Sequence, residues 1–102
     1  AVLTNRRAFS SANDFAGKMK QMPQAILIGD KTGGGSGLPF SSELPNGWSI
    51  RFSASPMFDP DMKHTEFGIE PDIKVNMSSE DMHKGLDTII ETARKYLKNN
   101  KI

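Results

Sequence analysis

Ala25-Ile26-Leu27-Ile28 is a continuous apolar run closed by Gly29. With no polar alternation, such a run suits a strand buried on both faces, as in a parallel sheet. A parallel partner requires a crossover connection, and the residues before the run supply one. Val2 and Leu3, within Ala1 to Asn5, favour a strand. Ala12, Phe15, Ala16, Met19 and Met22 then recur at helical spacing, and Pro23 stops the helix. Strand, helix and buried strand make residues 1–29 a βαβ unit, with the right-handed crossover such units adopt. The chain is therefore expected to be α/β.

Downstream, Asp30-Lys31-Thr32 leads into Gly33-Gly34-Gly35-Ser36-Gly37. Leu38, Phe40, Ser42 and Leu44 alternate with their neighbours, as do Trp48, Ile50 and Phe52 beyond Pro45-Asn46-Gly47. Two alternating runs around an Asn-Gly turn predict a β-hairpin. Residues 54–68 carry Pro56, Pro60 and scattered charges without a period, so they read as a long loop of the kind that often serves function. Ile69 to Val75 leads into a short strand, with Pro71 confining its start to an edge or turn. Ser78 or Ser79 is expected to cap one long helix reaching about Asn99. Its apolar face is Met82, Leu86, Ile89, Ile90, Ala93 and Leu97. Arg94, Lys95, Lys98 and Lys101 crowd its carboxyl end, where they complement the helix dipole.

Composition narrows the function classes. A net charge of +1 over 102 residues argues against nucleic acid as the main partner. No apolar run approaches the ~18 residues of a membrane span. The absence of Cys removes disulfides, thiolate zinc sites and cysteine nucleophiles together. With only His64 and His83 and no thiol, neither a metal nor any other cofactor is expected. The six methionines form no separate stripe and read as core filling.

Chemistry concentrates at Ser11, between the first strand and the helix. A side chain at a strand-to-helix turn stands proud of the sheet, and the first N–H groups of the helix point at developing negative charge. Ser11 could attack a carbonyl while the Ala12 N–H holds the oxyanion. The plainer reading is an N-cap, with Asp14 three positions on resembling a capping box. Gly33 to Gly37 precedes a strand and lacks Gly-Lys-Ser/Thr, so it is no nucleotide fingerprint. It reads as a turn with positive φ, or as backbone that lies close to an extended peptide. His64, near Glu66 in the long loop, could be a ligand or a base, and as a base it could partner Ser11; His83 reads as solvated.

Four segments together resemble the C-terminal processing (tail-specific) serine peptidases, especially the branch of the tricorn core and the interphotoreceptor retinoid-binding modules. They are Val2 to Phe15, Ile28 to Gly35, Leu44-Pro45-Asn46-Gly47-Trp48 and Gly68-Ile69-Glu70-Pro71-Asp72-Ile73. The resemblance implies a crotonase/Clp-protease-like spiral built from the βαβ unit, hairpin and C-terminal helix. It implies that residues 1–102 are the C-terminal portion of a catalytic domain cut from something longer. Ser11-Ala12-Asn13-Asp14 matches the nucleophile pattern and so implies Ser11 as nucleophile rather than Ser10. Ala12 N–H would be one oxyanion donor, with a second from an upstream glycine.

Many members of that family place a general-base Lys in the Gly-rich loop, where this chain has Gly35 or Ser36; Lys31 lies outside the motif. The tricorn-like branch instead uses an upstream His oriented by polar groups that include a Glu, for which Glu66 is the nearest candidate. The residues given are accordingly expected to be inactive in isolation. Gly33, Gly34 and Gly35 would border the substrate. The implied partners are a peptide or protein substrate and the upstream part of the same chain, with a homo-oligomer as a further expectation, and the implied location is the periplasm or cell envelope of a bacterium. The alternative is a non-catalytic ligand- or peptide-binding module of the same fold, in which Ser11 only caps.

Overall fold

The computed structural model describes residues 1–100. Its centre is a three-stranded parallel sheet in the order β1 (Val2–Thr4), β2 (Leu27–Gly29), β5 (Ile73–Lys74). Val2 pairs with Leu27 and Thr4 with Gly29 on one side, and Ile28 with Ile73 on the other. Leu27 and Ile28 have no exposed surface, as expected of a central strand covered on both faces. The βαβ unit and the short strand after Pro71 are both present, although β1 and β2 are three residues each.

Helix α1 (Ser11–Lys20) forms the crossover. Ala16 packs with Leu27 and Ile69, flanked by Val2 and Met19, and this cluster is the core under one face of the sheet. Gly17 faces Ile69 on the same side, where even a Cβ would make only an ordinary contact, 3.4 Å from Ile69 Cδ1. The expected apolar stripe is only partly buried. Phe15 and Met22 are exposed, while Asn13 is wholly enclosed. Helix α3 (Thr88–Asn99) lies against β1 and β2, burying Ile89 and Ala93.

The single C-terminal helix expected from Ser78 onward is two. Helix α2 (Ser79–His83) is capped by Ser78, and the chain turns at Gly85, φ 69°, before Asp87 caps α3. Asp87 accepts from the Ile89 and Ile90 N–H groups at 2.9 and 3.0 Å. A glycine followed by an Asp two residues later is a stop and a restart, which outweighs the continuous apolar spacing across it. The face expected of one helix is accordingly divided, and Met82, Leu86, Ile90 and Leu97 remain exposed. Lys101 lies outside the described residues.

The hairpin is β3 (Pro39–Glu43) and β4 (Ser49–Ser53), antiparallel with Phe40 opposite Phe52 and Ser42 opposite Ile50. Phe40 and Phe52 stack with centroids 5.8 Å apart. Every residue of both strands is exposed, so the alternation produces a hairpin without a buried face. The hairpin belongs to a separate two-stranded sheet, and the radius of gyration of 17.1 Å exceeds the ~13 Å usual for 100 compact residues. Among the described residues no helix is long and apolar enough to cross a membrane, and no cluster of side chains could hold a metal ion.

Candidate active site

After β1 the chain stays close to the Gly-rich loop. Gly33 N–H donates to Ala8 O and Ser10 N–H to Gly34 O, both at 2.8 Å, and Phe9 forms a parallel bridge with Gly34. The next residue must leave this extended path and enter a helix at once. Ser10 makes that change, with φ 57° and ψ −120°, and is the residue that precedes α1. A non-glycine in this region stores on the order of 1–3 kcal/mol of strain, and such outliers gather where geometry serves function. Nothing local explains the outlier as a cap, because the Ser10 side chain makes no capping hydrogen bond.

The expected N-cap, Ser11, is therefore corrected: it is the first residue of α1 and is exposed. The capping box is absent as well, since the Asp14 carboxylate accepts from Ser36 Oγ at 2.8 Å. The Ala12 N–H donates to Phe9 O at 3.2 Å, whereas the Ser11 N–H makes no hydrogen bond among the described residues.

Glu66 reaches the same place from the other side. It lies in the 3-10 turn Thr65–Phe67, and its carbonyl accepts from Gly35 N–H at 2.9 Å. Its Oε2 is buried and has no hydrogen-bond partner among the described residues. A carboxylate oxygen enclosed without a donor is costly. Ser10 and Glu66 line one cavity of about 390 Å³, together with Phe9, Gly35, Pro39, Arg51, Phe52 and Ser53.

The glycines of the loop are there for close approach. At Gly34, φ 82°, a Cβ would overlap the Glu66 carbonyl oxygen; at Gly35, φ 84°, it would stand 2.5 Å from Phe9 Cζ. Gly35 borders the cavity directly, while Gly33 and Gly34 hold its rear wall through backbone bonds. The loop is thus fixed by hydrogen bonds on both sides.

The histidines lie elsewhere. His64 sits between Phe58 and Phe67, at centroid distances of 5.1 and 5.7 Å, and its Nδ1 accepts from Glu66 N–H at 3.1 Å. It does not line the cavity of Ser10, and neither does His83, which is exposed on α2. Lys31 reaches toward Glu70. Two larger clefts, of about 650 and 920 Å³, contain no serine or histidine. The first is floored by Arg6 and Asp30, joined at 2.8 Å. That hydrogen bond, with the Lys31 N–H, holds the Asp30 carboxyl below its ordinary pKa.

Sequence patterns also passed over Asn13, Thr32 and Ser36, which are enclosed and joined by hydrogen bonds through Asn13. The available signal was positional. Asn13 lies three residues before buried Ala16 on the same face of α1, where an amide is out of place unless partnered.

Residues 1–75 match the family model described as Peptidase family S41. The chain belongs to this family. The C-terminal processing, tricorn-like resemblance carried by the four segments is therefore borne out. The S41 chain is 33% identical over 106 residues to a candidate Tricorn-like protease C-terminal subunit of Sulfurisphaera tokodaii, covering 94% of this chain and 12% of that protein. A solved candidate peptidase from Parabacteroides merdae shares 60% identity and superposes with a TM-score of 0.89, over 94% of this chain and 30% of that one. Mature CPAF complexed with lactacystin shares the fold at 22% identity and a TM-score of 0.77, over 97% of this chain and 21% of that one. The chain thus spans about an eighth of the first relative and less than a third of either solved structure.

Proposed function

We propose that this S41 chain carries the nucleophile side of a serine peptidase active site, with Ser10 as the nucleophile. The observation that supports Ser10 over Ser11 is its backbone: φ 57° and ψ −120° at a strand-to-helix turn, facing a cavity shared with Glu66, whose Oε2 is buried and unpartnered. Ser10 Oγ would attack the scissile carbonyl carbon and pass its proton to a base. The oxyanion so formed would take the open Ser11 N–H at the amino end of α1, where the helix dipole also favours negative charge. Expulsion of the amine would leave an ester on Ser10, which water then hydrolyses.

Among the described residues no histidine or lysine lines the cavity, and the base would be a group brought to it from outside that lining. Glu66 Oε2 is the group that would orient and charge-stabilise it, in the manner of the carboxylate of a triad. The remaining parts of a crotonase/Clp-like spiral would carry that base and the second oxyanion donor. Phe9, Pro39 and Phe52 would flank the bound peptide.

A fluorophosphonate probe tests the assignment in the full-length protein, with the labelled peptide mapped by mass spectrometry. Stoichiometric label on Ser10, lost in Ser10→Ala and kept in Ser11→Ala, is the expected result. The reverse pattern moves the nucleophile to Ser11. Labelling that survives both substitutions, or no labelling at all, removes the peptidase reading and leaves a binding module of the same fold.

A further inference from the structure

We propose that Asn13 is the positioning residue of this site, fixing Ser10 and Glu66 relative to each other by clamping three segments at one buried point; the proposal rests on the peptidase reading of the cavity. Asn13 has no exposed surface. Its Nδ2 donates to Ser36 Oγ at 2.9 Å and to Thr65 O at 3.0 Å, and its Oδ1 accepts from Thr32 Oγ1 at 2.5 Å. The series continues outward at both ends. Thr32 Oγ1 accepts from Ile69 N–H at 2.6 Å, and Ser36 Oγ donates to Asp14 Oδ1 at 2.8 Å.

The segments that Asn13 joins each carry a wall of the cavity. Asn13 lies three residues beyond Ser10 on the first turn of α1. Ser36 follows Gly35, and Thr65 precedes Glu66. One side chain therefore joins the turn that presents the hydroxyl, the loop behind it and the segment that carries the carboxylate. The orientation of the amide is determined, because a backbone carbonyl can only accept and so must face Nδ2. From Ile69 N–H to Asp14 every donor then points the same way, an arrangement in which successive bonds reinforce one another.

An apolar side chain could fill the space beside Ala16 but could not hold Thr65 O or Ser36 Oγ. Asparagine does both with its two donors and one acceptor. Aspartate, nearly the same in shape, would set an oxygen against Thr65 O and release both the loop and the Glu66 segment. Asn13→Asp is thus a small change in volume with a large change in what is held.

The experiment uses full-length wild type, Asn13→Asp, and Ile89→Ala as a control that loosens the buried face of α3 away from the site. Two readouts are taken at a temperature where circular dichroism shows each protein folded. One is the rate constant of fluorophosphonate labelling at Ser10. The other is amide hydrogen exchange at Ser10 and Gly35, whose N–H groups bond Gly34 O and Glu66 O. Asn13→Asp is expected to label at least tenfold more slowly and to exchange at least tenfold faster at those two amides. Ile89→Ala, at a comparable loss of melting temperature, should change neither. Wild-type labelling and exchange in folded Asn13→Asp would overturn the proposal. If Asn13→Asp does not fold, Ser36→Ala serves instead, with a threefold or greater slowing expected and an unchanged rate overturning it. Should the wild type take no label at either serine, the peptidase reading fails, and the exchange data alone decide whether Asn13 positions the segments.

Discussion

Gly34→Ala and Gly47→Ala form a pair that separates backbone preference from steric contact. Both glycines have positive φ, 82° and 86°. An alanine in that region costs about 1–2 kcal/mol, offset by about 0.4–1 kcal/mol because the unfolded chain loses freedom. At Gly47, in the hairpin turn, a Cβ meets nothing within 4 Å, so the net cost should stay near 1 kcal/mol. At Gly34 a Cβ overlaps the Glu66 carbonyl oxygen and stands 3.0 Å from its carbon and 3.1 Å from Gly68 N. All three atoms are backbone and cannot rotate away.

Relief requires the loop and the 3-10 turn to separate by about the overlap. That breaks Gly35 N–H to Glu66 O, at 2.9 Å, and strains Ser10 N–H to Gly34 O, at 2.8 Å. Each such bond is worth ~1 kcal/mol net. Gly34→Ala should therefore cost about 2–4 kcal/mol against about 1 for Gly47→Ala. Urea unfolding of the full chain reads the difference as a shift of the midpoint at constant slope. Fluorophosphonate labelling of Ser10 should also slow in Gly34→Ala alone, because Glu66 moves with its carbonyl. Equal destabilisation by the two substitutions would refute the claim that the loop is held by close backbone contact.

Leu27→Ala removes a fully enclosed side chain at the centre of the sheet and should cost ~2–5 kcal/mol, whereas Leu97→Ala, 51% exposed, should stay below about 1 kcal/mol in the same urea titration. Asp87→Ala leaves the Ile89 and Ile90 N–H groups without their cap and should cost ~1 kcal/mol, read as faster amide exchange in the first turn of α3. The Asp30 carboxyl is depressed, first by its hydrogen bond from Arg6 and then by the Lys31 N–H; the Asp81 carboxyl is depressed by hydrogen bonds from Thr88 and Ser78. A depressed folded-state pKa contributes stability above the unfolded value, lost as pH falls through the folded one. Melting temperature should accordingly decline below about pH 4, and Arg6→Ala should flatten part of that decline; an undiminished slope would remove Asp30 from the account.

The elements that were legible share one property: their signal is contained within them. The apolar run at residues 25–28 states that it is buried on both faces, and Leu27 and Ile28 are. The Asn46-Gly47 turn states a hairpin regardless of what lies above it. By contrast, the division of the last helix depended on weighing Gly85 and Asp87 against an unbroken apolar spacing, and local cap chemistry won. The hairpin also shows where alternation stops being informative. It specifies which residues share a face, but burial of that face needs a second layer, and Trp48 at 69% exposure has none among the described residues.

The proposed site is harder to read, because what separates its two serines is a torsion angle. Ser10 and Ser11 are identical in composition and adjacent in the chain, and pattern matching to Ala12-Asn13-Asp14 favours the second. What distinguishes them arises from a segment more than twenty residues away. The parallel bridge of Phe9 with Gly34 carries the extended path up to Ser10, and α1 begins at Ser11, so Ser10 alone must absorb the change of direction. The Gly34 backbone can approach that closely only because it lacks a Cβ. The glycine loop and the serine turn, read separately as a flexible turn and a helix cap, are thus two halves of one constraint. Neither half shows it without the other. This is why Gly34→Ala and Asn13→Asp, which alter neither serine, should both slow the chemistry proposed for Ser10.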